Sequence, residues 1–83
     1  MPTVRVLFFA HARDATGCSQ VELKADTLAG ALDQSCATYP ALAAVLANSR
    51  VWINGDEPLT GMTTDLNEND EIAVLPPVSG GGQ

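Results

Sequence analysis

Two consecutive prolines, Pro76 and Pro77, set the limit of what this chain can fold into. Each fixes φ at about −65° and lacks a backbone N–H, so no helix or central sheet ladder runs through the pair. Regular structure must precede them, and the strand-like Glu71-Ile72-Ala73-Val74-Leu75 is its last piece. Past that strand the chain is expected to project as a semi-rigid arm in polyproline II conformation. The arm ends in Val78-Ser79-Gly80-Gly81-Gly82-Gln83. Its glycines carry no side chain, so such an end fits a channel too narrow for a Cβ. That suits a carboxylate delivered into another protein's active site. The plainer alternative is a frayed terminus of the kind most domains carry.

The folded unit ahead of the prolines is small. At 83 residues the chain is one domain, near the size where a single core only just offsets chain entropy. The pattern divides it into a domain over residues 1–75 and a flexible Pro-Pro/Gly-rich tail over residues 76–83. Ten carboxylates against four cations give a formal net charge of −6, which repels a nucleic-acid backbone and leaves DNA and RNA out of the expected partners. The same charge steers the protein toward a basic groove on a protein, or serves solubility alone. Cys18 and Cys36 make neither a disulfide framework nor a CxxC pattern and read as free thiols in a reducing cytoplasm. With His11 as the lone histidine, they are too few for an iron–sulfur cluster. No long apolar run or basic leader appears, so no membrane partner is expected.

Alternation of apolar and polar residues predicts strands over 3–10, 20–24, 51–54 and 71–75, with Val21 and Leu23, and Ile72 and Val74, facing inward. In the first strand both faces become apolar toward Phe8 and Phe9, the pattern of a central strand covered on at least part of both sides. The first two strands are expected to pair as a hairpin across an irregular connection, His11 to Cys18. Asp26 and Thr27 are N-cap residues ahead of Leu28, Ala31, Leu32, Ser35, Cys36 and Tyr39, whose spacing predicts an amphipathic helix over 27–38. Pro40 ends it and opens a short helix through Ala41, Leu42, Val45 and Leu46. Asn54-Gly55 predicts a tight turn. Residues 60–70 form a polar loop with Met62 and Leu66 as anchors into the core. The sum is an α+β fold: a strand-rich sheet with one main helix across one face.

The interior offers little chemistry. His11 and Asp14 share a segment, but no nucleophile stands with them in a recognisable arrangement, and a solvated histidine is the simpler reading. Cys36 falls near the helix's apolar stripe and reads as core, Cys18 as background. The carboxylates from Asp65 to Glu71 lack the glycine and spacing of a calcium loop and read as a solvated acidic turn. No catalytic residue, metal site or bound cofactor is expected, which leaves the tail.

Val6-Leu7-Phe8-Phe9-Ala10 followed by Arg13, the Asp70-Glu71-Ile72-Ala73 turn into the last strand, and Leu75-Pro76-Pro77-Val78-Ser79-Gly80-Gly81 together resemble the MoaD family of small sulfur carriers. The resemblance spans nearly the whole chain. It implies a ubiquitin-like β-grasp: a mixed sheet of four or five strands, the first and last parallel and adjacent at its centre. It also implies that the C-terminal glycine carboxylate is adenylated by an E1-like adenylyltransferase using ATP and converted to a thiocarboxylate. The tail is then inserted into the large subunit of molybdopterin synthase, where sulfur passes to a precursor of molybdenum cofactor. The protein would be a covalent substrate, with catalysis in its partners.

Family members end at the diglycine, whereas Gly82 and Gln83 follow it here. The resemblance therefore implies a tail-trimming protease, with Gly81 as the sulfur-carrying residue and Gly82 as the runner-up. Pro76, Pro77, Val78, Ser79 and Gly80 form the inserted tail. Phe9, Arg13 and Leu75 are candidates for the partner interface; core packing for Phe9 and pairing with Asp14 for Arg13 are the alternatives. Other readings are a sulfur carrier for thiamine or cysteine synthesis and a ubiquitin-like protein modifier, the latter with a single lysine, Lys24, for self-conjugation.

Overall fold

The computed structural model describes residues 1–77. The elements run β1 (Thr3–Phe8), α1 (His11–Thr16), β2 (Gln20–Lys24), α2 (Leu28–Thr38), α3 (Leu42–Leu46), β3 (Arg50–Ile53), a 3₁₀ turn (Gly61–Thr63) and β4 (Glu71–Leu75). The four strands form one mixed sheet in the order β2-β1-β4-β3. β1 and β4 are parallel, with Val6 beside Ile72 and Phe8 beside Val74. β2 and β3 flank them antiparallel. The first and last strands thus occupy the centre, as a β-grasp requires.

Period-two alternation makes one face of this sheet the core. Val4, Val6 and Phe8 of β1 and Ile72 and Val74 of β4 are 0–1% exposed. They cluster with Ala12 of α1, Leu28, Ala31 and Leu32 of α2, and Leu42 of α3, so all three helices pack on that face. α2 starts where Thr27 Oγ1 accepts the Gly30 N–H at 3.2 Å, which satisfies one of the orphan donors of its first turn. Ser35 is buried on its packed side, and its hydroxyl donates to the Ala31 carbonyl at 3.0 Å. α2 ends at Tyr39, just ahead of Pro40.

Four expectations need correction. The segment after β1 is helical, not an irregular connection: α1 buries Ala12 and stops at Gly17, whose φ of 74° lets its N–H reach the Arg13 carbonyl. β1 ends at Phe8 rather than residue 10, because Ala10 takes φ 49°. Leu66 anchors the polar loop at 6% exposure, but Met62 is 50% exposed. Hydroxyls of Thr63 and Thr64 bond to the carbonyls of Thr60 and Gly61 and hold the 3₁₀ turn locally, without help from an apolar anchor. Finally, Asp70 is not solvated. It is 9% exposed and accepts hydrogen bonds from Asn54 Nδ2 at 2.9 Å and Asn67 N at 2.8 Å. Asn54 and Gly55, with φ 52° and 86°, form the expected turn, and Asn54 Oδ1 accepts from Glu71 N. The end of β3 is thereby bolted to the start of β4.

Tyr39 closes one end of the core, its ring edge-on to Phe8 at 6.2 Å and its hydroxyl 3.5 Å from Cys18 Sγ. The hydrogen bond to Cys18, then burial, raise its pKa above the ordinary phenol value. The unfolded chain ionises its tyrosine at about 10, so this pair's contribution to stability is lost as pH rises through and above that value. Tyr39 is the only tyrosine, so tyrosinate absorbance reports it alone. Its titration is expected above that of the urea-unfolded chain, and Cys18→Ala should move it down.

Candidate functional site

β4 is paired on both sides, and the tail leaves from its end. Leu75 and Pro76 are half-buried and Pro77 is exposed. The predicted tail residues Val78, Ser79, Gly80 and Gly81, and the runner-up Gly82, lie outside the described residues. What the described part supplies is an origin for the arm fixed by two strand ladders.

The surface beside that origin is apolar. Since the helices share one face, the other face of the sheet is left open among the described residues. Register sets Leu7 beside Ala73 and Ala73 beside Trp52, with Leu75 one step further along β4. All four are half-buried, and none belongs to the core cluster or packs against it. Their strip runs across β1, β4 and β3 and into the prolines. At its far end Arg5 Nη1 meets Glu71 Oε2 at 2.6 Å in a part-exposed ion pair. An apolar centre with a charged rim is the anatomy of a protein-binding surface. The sequence shows these residues as apolar, but only the register reveals them as one strip. The expected part-cover on both faces of β1 is replaced, among the described residues, by cover on one.

Phe9 is 39% exposed, just past β1 at the Leu75 end of the sheet, so the core position is Phe8's and Phe9 is available to a partner. Arg13 is exposed on α1, and among the described residues it has no ion pair. Asp14 lies instead 3.9 Å from His11 Nδ1, because helix neighbours in sequence face different directions. On the helical side a shallow cavity of about 270 Å³ adjoins the tail, lined by His11, Ala44, Val45, Asn48, Pro76 and Pro77. Among the described residues no three His, Cys, Asp or Glu side chains converge as metal ligands do, and no helix is long and apolar enough to cross a membrane. Among the described residues the arrangement is an open apolar strip beside the strand end from which Pro76 and Pro77 leave.

The ThiS family matches residues 6–81. A molybdopterin synthase sulfur carrier subunit from Arabidopsis thaliana is 35% identical over 94% of this chain and 82% of its own length. The solution structure of small archaeal modifier protein 1 from Methanosarcina acetivorans superposes with a TM-score of 0.88 at 33% identity, covering 98% of each chain. In a protein–protein complex of subunits 1 and 2 of the molybdopterin-converting factor from Helicobacter pylori, one chain matches with a TM-score of 0.70 at 28% identity, over 95% of this chain and 99% of that one.

Proposed function

This chain belongs to the ThiS family, and on that premise we propose that it is a sulfur carrier for molybdopterin synthesis, acting as a covalent substrate of partner enzymes. The observation that carries the reading is the tail's origin: a Pro-Pro arm leaving the central strand beside a bare apolar strip. A carboxylate is a poor electrophile. Activation with ATP joins the terminal carboxylate to AMP as a mixed anhydride and releases pyrophosphate; a sulfur nucleophile then displaces AMP, and the C–O bond gives way to C–S. The activating protein is an E1-like adenylyltransferase, and ATP is its substrate rather than a ligand of this chain. The acceptor is a molybdopterin synthase large subunit, a reading supported by the subunit pair from Helicobacter pylori. It docks on Leu7, Phe9, Trp52, Ala73 and Leu75 while Pro76 through Gly81 enter its active site.

Gln83 does not fit a channel shaped for glycine, so a protease removes Gly82-Gln83 first and leaves Gly81 as the reactive end. Intact mass spectrometry tests this after incubation with activating enzyme, ATP and a sulfur donor. The chain ending at Gly81 is expected to gain the mass of an oxygen-to-sulfur exchange, and the full chain is expected to gain none until trimmed. A chain that acquires no sulfur with any of the ends Gly81, Gly82 or Gln83 overturns the carrier reading. The likeness to the archaeal modifier favours a second reading, conjugation of the terminal glycine to lysines of other proteins. Higher-mass adducts that survive thiol reductant would support it.

A further inference from the structure

The two edges of the sheet are not alike. On β3, Ile53 N–H and C=O are taken by Asp56, at 2.8 and 3.0 Å, so the returning chain covers one end of that edge and leaves only Val51 of the strand's outward residues uncovered. On β2 the ladder to β1 uses the residues of odd number: Phe8 N donates to Ser19 O, Ala25 N donates to Pro2 O, and the register between them pairs Val21 with Val6 and Leu23 with Val4. Gln20, Glu22 and Lys24 therefore turn their backbone N–H and C=O groups outward. Of these, Lys24 O accepts the Gln34 side chain at 2.6 Å; the rest have no partner among the described residues. Such a row is a template for another strand. Between this edge and α2 lies a cavity of about 250 Å³ lined by Val21, Glu22, Leu23, Gln34, Thr38 and Tyr39, placed to receive every second side chain of that strand.

Charge selects the occupant. Glu22 sits at the centre of the edge, and its cross-strand neighbour Arg5 is engaged by Glu71, so the Glu22 carboxylate has no ion-pair partner among the described residues. Antiparallel pairing with a second copy along the whole strand would set Glu22 against Glu22, and like charges directly opposite destabilise a sheet. A strand with Lys or Arg at that position gains a cross-strand pair instead. The overall charge of −6 draws basic segments in the same direction. We propose that the outer edge of β2 and its groove against α2 bind an extended basic segment of a protein partner as a fifth strand. Basic residues of the segment face Glu22 on the open side, and apolar ones fill the groove beside Thr38 and Tyr39. This surface is separate from the strip beside the tail, so a segment bound here leaves that strip free.

The test is an NMR titration of the full, ¹⁵N-labelled chain with a short blocked peptide of alternating valine and lysine. Saturable shifts are expected at the Glu22, Lys24, Thr38 and Tyr39 amides, with slowed hydrogen exchange at Glu22 and Lys24. Glu22→Pro removes an outward N–H and leaves the β1 ladder intact, so it should weaken binding by about tenfold or more. Glu22→Lys should transfer the preference to a valine–glutamate peptide. The proposal is overturned by shifts that survive Glu22→Pro undiminished, by shifts scattered over residues 65–71, by β2 pairing between copies, or by no saturable shift at all.

Discussion

Exchanging Ala73 for arginine is expected to weaken binding to a molybdopterin synthase large subunit by on the order of a hundredfold, about 3 kcal/mol, because the new charge would be desolvated inside an apolar contact. Ala73 lies between Leu7 and Trp52 in the middle of the open strip. A long side chain there covers the surface on which a partner would rest. Its Cβ points away from the core, so the folded chain keeps its packing and its midpoint in urea should move little. Isothermal titration against the large subunit measures the first effect and urea unfolding the second. Binding that survives Ala73→Arg unchanged would remove the strip from the interface and leave the tail as the whole of the contact.

Phe8→Ala is expected to cost about 3–5 kcal/mol of stability, the range for deleting a buried aromatic side chain. Phe8 is 0% exposed at the end of the central strand β1 and meets Tyr39 edge-on. Domains of this size hold about 5–15 kcal/mol in all, so much of the margin would go. Urea unfolding followed by Trp52 fluorescence reports the loss, and the Tyr39 titration should fall toward that of the unfolded chain. A loss below about 1 kcal/mol, that of an ordinary surface change, would mean that Phe8 is not the keystone its burial makes it.

Sequence pattern reached most of this architecture because its strands and α2 are long enough to show a period. Ile72 and Val74 declare their face by alternation, and Thr27 declares its cap by residue type and position. α1 escaped because a helix of 6 residues spans under two turns, too few for a repeat, and its one strong signal is Gly17 at its end. The open strip escaped for a different reason: Leu7, Trp52 and Ala73 come from three strands, and only hydrogen-bonded register makes them neighbours. The burial of Asp70 depends on Asn54, 16 positions earlier, a partner no local pattern names. Phe9 and Arg13, legible from the resemblance, are both exposed, whereas Val78 to Gly81 rest on sequence alone.

The parallel pairing of β1 with β4 joins the first strand of the chain to the last. During synthesis β1 waits without its central neighbour until Glu71–Leu75 has been made, and closing so distant a contact is a slow, late step of folding. The strand that completes the sheet is also the strand from which the arm departs. A chain whose Pro76 and Pro77 leave a finished sheet has therefore already passed its own folding test, and a partner that requires the sheet as well as the prolines engages only molecules that have done so.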